Sequence, residues 1–220
     1  MRVLNADGST AEMCGNGIRC VAKYLVDHAG APARLTIETE AGRLECQTLP
    51  GRDRTVSEVT VDMGRPELSP SRIPIEANGD RFVRGSLEFR GEALTGTAVS
   101  FGNPHFVLFG MDRGRLRELG PLIEKHPRFP KGTNVEFANA SDSGLRVDVW
   151  ERGCGITEAC GTGACAVATA AVLEGRMPAD QEIRITLSGG DLWIEVAADL
   201  SRVRMRGPAT EVYRGELEVP

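Results

Sequence analysis

Thr157-Glu158-Ala159-Cys160-Gly161-Thr162-Gly163-Ala164-Cys165-Ala166-Val167-Ala168-Thr169-Ala170-Ala171-Val172-Leu173 is the stretch that decides the fold. Past its glycine turn the residues are small or apolar at every position, and no polar face recurs at the helical period. A helix of that kind has to be enclosed by sheet or by other helices, and its small side chains let neighbours approach on all sides. Directly behind it, Ile183, Ile185, Leu187 and then Leu192, Ile194, Val196 alternate with polar residues around Ser188-Gly189-Gly190-Asp191, which predicts a hairpin.

The start of this helix has a twin. Glu12-Met13-Cys14-Gly15-Asn16-Gly17 and Glu158-Ala159-Cys160-Gly161-Thr162-Gly163 both read E-x-C-G-x-G. The first runs into Ile18, Val21, Ala22 and Leu25, spaced i, i+3, i+4, i+7, with Gly30 as the stop. Strands are predicted around Leu35–Thr39, Gly42–Cys46, Val59–Met63, Phe82–Val83, Leu87–Phe89, Ala98–Phe101 and Phe106–Phe109. Further strands are predicted at Asn134–Phe137, Leu145–Trp150, Val203–Met205 and Val212–Val219. Leu116–His126 predicts a helix interrupted at Gly120-Pro121. The repeat implies an α+β fold of two pseudo-symmetric lobes, each a mostly antiparallel sheet or barrel around a central helix. The expected first lobe is 1–54 plus 208–220 and the second is 55–207.

Composition narrows the function. The 220 residues are 41% hydrophobic and 26% charged, ordinary globular values, and the net charge of -5 with scattered Lys and Arg excludes the basic footprint of a nucleic-acid binder. No apolar run reaches the ~18 residues of a membrane helix, and no signal-peptide core follows Met1, so a cytoplasmic protein without a membrane partner is expected. The six cysteines form no C-x-x-C pair, so no metal site is expected.

The twin helix starts carry the chemistry. Glycine turns expose unpaired backbone N–H groups that bind anions, and the positive end of the helix dipole favours a thiolate. A carboxylate held between two such ends would have a thiol on each face of its α-carbon. That arrangement suits removal of the α-proton from one face and its return to the other, with the N–H donors stabilising the intermediate and no cofactor required. Taken singly, Cys14 or Cys160 reads as a buried structural cysteine; occurring twice in one anion-binding context, they read as a catalytic pair. Cys20 and Cys165 are expected to pack in the two cores, and Cys46 and Cys154 have no assigned role.

The runs Asn5-Ala6-Asp7-Gly8-Ser9, Glu12 to Cys20, Gly102-Asn103-Pro104-His105, Trp150-Glu151-Arg152-Gly153 and Ala159 to Cys165 resemble the diaminopimelate epimerases, in that family's order and over essentially the whole chain. The resemblance implies a cofactor-independent enzyme that interconverts LL- and meso-diaminopimelate in lysine and peptidoglycan-precursor synthesis, often as a homodimer. It implies that Cys14 and Cys160 are the acid/base pair and that the amides around Gly15-Asn16 and Gly161-Thr162 hold the reacting carboxylate. Asn5, Asn134 and Arg152 would contact the distal carboxylate and Glu151 the distal ammonium, with Asn103 and His105 lining the cleft.

Two departures stand out. The family's chains begin earlier, with a Gly-Asn-Asp-Phe motif, so a truncated first lobe with exposed apolar surface is expected here. Gly155-Ile156-Thr157 replaces the family's Gly-Glu-Thr, with Glu158 as the neighbouring carboxylate. The competing readings are a proline-racemase-like enzyme, a non-catalytic thiol or metal-binding protein using Cys14, Cys20, Cys160 and Cys165, and an inactive fragment. His105 and the Glu151-Arg152 pair also read as an ordinary turn histidine and a surface ion pair.

Overall fold

The computed structural model describes residues 1–4, 10–11, 13–40, 42–89 and 91–216. A two-stranded ribbon, β1 (Val3–Leu4) and β2 (Thr10–Ala11), leads into α1 (Gly15–Ala29). Then come β3 (Arg34–Thr39), β4 (Gly42–Pro50), β5 (Val56–Asp62), β6 (Gly85–Phe89), β7 (Glu92–Ser100) and β8 (Pro104–Phe109). A short 3-10 turn (Arg113–Arg115) opens α2 (Leu116–Glu124), and β9 (Asn134–Ser141), β10 (Gly144–Glu151) and β11 (Gly155–Thr157) follow. The chain continues through α3 (Gly161–Leu173), β12 (Glu182–Leu187), β13 (Gly190–Val196) and β14 (Val203–Pro208).

Apart from the β1-β2 ribbon, the strands form one hydrogen-bonded path, β3-β4-β5-β14-β13-β12-β10-β9-β8-β7-β6, with β11 on β10. Among the described residues only β8 with β9 and β10 with β12 pair in parallel; the other neighbours are antiparallel. The path curls around two helices: α1 packs on β3, β4 and β5, while α3 is wrapped by β7 to β10 and β12 to β14. The result is the expected two-lobe α+β fold with few helices and a mixed, mostly antiparallel sheet.

Every residue of α3 from Gly161 to Ala171 is buried, as its uniform sequence requires. The first helix is different. Ile18 and Ala22 are fully buried, but Tyr24 is 62% exposed and Cys20 is exposed as well. Cys20 therefore does not pack in a core. It stands four residues before Tyr24 and eight before His28, so the three form one outward stripe of a helix that is covered on one side. Cys165, by contrast, is fully buried. Gly30 closes α1 in the left-handed conformation at φ 70°, where glycine carries no steric penalty.

Three element predictions change. Phe82–Val83 is irregular, although Phe82 is buried against Phe106 and its carbonyl accepts from Ala98 N–H. The helix at Leu116 runs through Pro121 to Glu124 without a break, because burial of Leu116, Leu119 and Ile123 outweighs the ~3 kcal/mol that an internal proline costs. Gly120 lies against the Trp150 ring, and a Cβ there would come within 2.7 Å of it. Residues 212–216 form no strand and Val212 and Tyr213 are exposed; residues 217–220, the rest of that expected strand, lie outside the described residues.

Candidate active site

The two glycine turns meet. A Cβ built on Gly15 would lie 3.1 Å from Gly161 Cα, and a Cβ built on Gly161 would lie 3.1 Å from Gly15 Cα, so the helix starts are in backbone contact. Only glycine permits this approach. Cys14 and Cys160 are the N-cap residues of α1 and α3, both extended at φ -135° and φ -127°. The cap position aims each side chain back over its own first turn. Gly17 N–H donates to Cys14 Sγ at 3.3 Å, and Gly163 sits on Cys160 in the corresponding place. The seam is bridged by Asn16, whose Nδ2 donates to Ala159 O at 3.4 Å.

Arg19 anchors this bridge from below. Its buried guanidinium donates to Gly15 O at 3.0 Å, to Asn16 Oδ1 at 3.2 Å and to Pro208 O at 3.3 Å. Burial lowers its pKa, opposed by the neighbouring cysteines Cys20, Cys165 and Cys14. Sequence reasoning passed over Arg19; a cation one turn into a helix that starts a functional loop was the available signal.

The two thiols differ in setting. Cys14 is partly exposed, whereas Cys160 is 6% exposed. Burial pushes the Cys160 thiol well up, Glu151 and Glu136 add to this, and the Thr162 hydroxyl and the Gly163 amide pull it back. The dipole argument from sequence, which favours the thiolate at both helix ends, is therefore outweighed at Cys160 by desolvation and two carboxylates. Burial and the two carboxylates hold this residue as a thiol.

Around Cys160 the predicted residues come together from the turn before β8, from β8 itself and from the first turn of α3. Asn103 Nδ2 donates to Thr162 Oγ1 at 3.2 Å, Asn103 Oδ1 lies 3.1 Å from His105 Nε2, and Thr162 Oγ1 lies 3.5 Å from Cys160 Sγ. His105 is fully buried, with Nδ1 on Glu136 Oε1 at 2.6 Å. Glu136, two residues after Asn134 on β9, was not predicted; an acidic residue at an inward position of an apolar strand is its sequence signal.

The Glu151-Arg152 corner is built by tertiary contacts. Asn134 Oδ1 accepts from Arg152 N–H at 2.9 Å and Asn134 Nδ2 donates to Pro104 O at 2.9 Å, tying the corner to the start of β8. Glu124 accepts from Trp150 Nε1 at 2.7 Å and from Gly153 N–H at 3.1 Å. Glu151 accepts from the Thr157 hydroxyl on β11, and Arg152 Nη1 donates to Lys131 O at 2.9 Å. The pair is thus fixed by its neighbours rather than forming a free surface ion pair. Ile156 is 44% exposed and Glu158 is exposed, its carbonyl accepting from Gly189 N–H. Asn5 and Glu12 lie outside the described residues. The four cysteines of the thiol or metal reading do not converge, since Cys20 faces solvent while Cys165 is enclosed by α3's shell.

The diaminopimelate epimerase family profile matches residues 1–69 and 97–212. A diaminopimelate epimerase of Desulfitobacterium hafniense is 49% identical over 221 residues, covering 99% of this chain and 77% of that protein. One from Bacillus subtilis is 46% identical over 222 residues, covering 98% of this chain and 77% of that protein. Among solved structures, a hydroxyproline epimerase of Agrobacterium vitis superposes with TM-score 0.70 at 17% identity, covering 94% of this chain and 66% of that one. A PhzF-family phenazine biosynthesis protein of Bacillus anthracis gives 0.65 at 14% identity, covering 96% and 78%. These last two share the fold alone. With the family profile spanning most of the chain and relatives near half identical along nearly all of it, the chain is an isomerase that belongs to the diaminopimelate epimerase family.

Proposed function

We propose that the chain epimerises the α-carbon of diaminopimelate, interconverting the LL and meso forms, with Cys14 and Cys160 as the two proton carriers. The observation that carries this is the backbone contact of Gly15 with Gly161, which brings two cysteine-capped helix N-termini to one point. Free N–H groups of both first turns converge there on an anion. A substrate carboxylate in that position sets its α-carbon between the two sulfurs. One cysteine takes the proton as thiolate while the other delivers one as thiol, and the aligned amides stabilise charge that moves into the carboxylate. Cys160, held as a thiol by burial, is the proton donor of the resting enzyme in this reading.

The distal end of the substrate is assigned to Glu151 for the ammonium and to Arg152, Asn134 and Asn5 for the carboxylate. Arginine's planar fork suits a carboxylate. A second charged end is what separates diaminopimelate from the proline-type substrates of the same fold. The reaction needs no cofactor, belongs to lysine and peptidoglycan-precursor synthesis, and is carried out in the cytoplasm, with two copies forming a homodimer. No helix among the described residues is long and apolar enough to cross a membrane.

The test is α-proton exchange with diaminopimelate in D2O together with stereochemical analysis of the product. Cys14→Ala and Cys160→Ala are each expected to abolish interconversion, because each face of the carbon needs its own proton carrier. Full epimerisation by either variant would refute the two-base assignment.

A further inference from the structure

Behind the Cys160 helix lies a carboxyl that neither the proton transfer nor the substrate contacts use. Glu136 on β9 has no exposed side-chain surface; its Oε1 is 2.6 Å from His105 Nδ1 and its Oε2 has no hydrogen-bond partner among the described residues. A buried carboxylate with one oxygen unpaired is costly, and a carboxyl that shares a proton with its neighbour is much less so. Burial accordingly raises Glu136 above the ordinary glutamate range, with the imidazole pulling the other way. Gly163 makes the placement sterically possible. A Cβ there would lie 2.8 Å from Glu136 Oε1 and 3.4 Å from Cys160 Sγ, so carboxyl and thiol flank the same backbone point.

From Glu136 the polar contacts have one direction. Asn103 Nδ2 donates to Thr162 Oγ1, which leaves Asn103 Oδ1 facing His105 Nε2 at 3.1 Å. An amide oxygen only accepts, so Nε2 carries a proton. The Thr162 oxygen accepts from Asn103, which leaves its own O–H free to donate to Cys160 Sγ at 3.5 Å. Two allocations then remain for the His105–Glu136 contact. Either a protonated carboxyl donates to bare Nδ1, or an imidazolium donates to a carboxylate. Both put one proton on that contact and leave the pair without net charge.

We propose that Glu136 is a positioning residue that, by fixing the proton of His105 on Nε2, orients Asn103 and keeps the Thr162 hydroxyl donating to the Cys160 sulfur. The chain of contacts supports the thiolate that Cys160 becomes in turnover, and it deepens the two-cysteine reading on which it rests. Among the described residues, Glu151 on β10 and Glu136 on β9 act on Cys160, His105 on β8 is in contact with Glu136, and Cys14 caps the helix start across the seam. Of these, only Glu136 and His105 belong to the chain of contacts.

The experiment measures the alkylation rates of Cys160 and Cys14 by iodoacetamide, peptide by peptide, at fixed pH values between about pH 7 and about pH 10. Glu136→Leu removes the partner of Nδ1. Glu136→Gln keeps a donor for bare Nδ1 through its amide N–H. Both Glu136→Leu and Glu136→Gln remove the carboxylate whose charge raises the Cys160 thiol, so the two are compared with each other: Cys160 is expected to be alkylated about tenfold more slowly in Glu136→Leu than in Glu136→Gln, with Cys14 equal in the two. Equal Cys160 rates in the two variants, or an equal difference at both cysteines, overturns the proposal. If Glu136→Leu does not fold, long-range 15N spectra of the three histidines in the unaltered protein decide it. His105 must be protonated at Nε2; a ring protonated at Nδ1 and bare at Nε2 overturns the proposal. Neither measurement requires turnover, so absence of α-proton exchange would count against the epimerase reading alone.

Discussion

Gly161→Ala tests the central geometric claim, the contact of the two helix starts. The new methyl carbon would lie 3.1 Å from Gly15 Cα, 3.5 Å from Gly15 C and 3.1 Å from Met205 Sδ. Met205 can move its thioether end, but Gly15 is backbone at the first turn of α1 and cannot yield alone. Carbon atoms in favourable contact sit at about 3.5–4.0 Å, so the helix starts must separate by roughly half an ångström. The expected cost to stability is that of overpacking, about 1–3 kcal/mol, which lowers Tm by roughly 2–4 °C per kcal/mol in a chain of this size. The expected cost to catalysis is larger. A misplacement approaching 1 Å costs about 10²-fold in rate, so a shift of half that size should lower kcat about tenfold. Gly15→Ala makes the same clash from the other side, with its Cβ 3.1 Å from Gly161 Cα and 3.2 Å from Met205 Cε. Once one substitution has opened the seam, the second meets less resistance, so the double variant should lose less than the two single losses combined. Thermal unfolding and D2O exchange of the three variants provide the numbers. Unaltered Tm and kcat in Gly161→Ala, or strictly additive losses in the double variant, would refute the contact.

Other expectations follow from the supports of the site. Glu124→Ala leaves Trp150 Nε1 and Gly153 N–H without their acceptor, and should cost about 1–3 kcal/mol of stability. Because it loosens the Glu151-Arg152 corner, it should raise KM more than it lowers kcat, and steady-state kinetics can separate the two. Asp27 is desolvated, which alone would raise its pKa. The hydrogen bonds from Lys23 and Val56 N–H outweigh this and hold it below the ordinary aspartate range. A depressed folded value contributes stability that is complete above the unfolded pKa and disappears as pH falls through the folded one. Urea unfolding should therefore show acid destabilisation below about pH 4, reduced in Asp27→Asn; identical pH profiles would contradict the assignment.

What was legible in the sequence was local or periodic. The uniform apolar run after Cys160 requires enclosure whatever surrounds it, and α3 is buried from Gly161 to Ala171. The alternation around Gly189-Gly190 fixes a hairpin because side chains of a strand alternate faces. The duplicated E-x-C-G-x-G marks two like helix starts because only small residues allow that turn. Pro121 was misread as a break because propensity is a local preference, and the apolar face of α2 decides against it. Cys20 was misread for the opposite reason: helical spacing says which residues share a face, not whether anything covers that face.

Only the folded chain decides the rest. Gly15 and Gly161 are far apart in sequence, and their contact depends on how the strand path curls round α1 and α3. The helix dipole suggests a thiolate at each cap, yet the buried cap at Cys160 is governed by desolvation and by Glu151 and Glu136 arriving from other strands. The same holds for Glu136 itself. As one acidic letter in Asn134-Val135-Glu136-Phe137 it carries no role. It acquires one because the parallel pairing of β8 with β9 brings His105 beside its strand and the glycine turn of α3 leaves room for its carboxyl. Sequence determines which residues can begin a helix or line a strand face, since those are properties of neighbouring residues. Distances between groups on different strands, and with them protonation and reactivity, are set by tertiary packing.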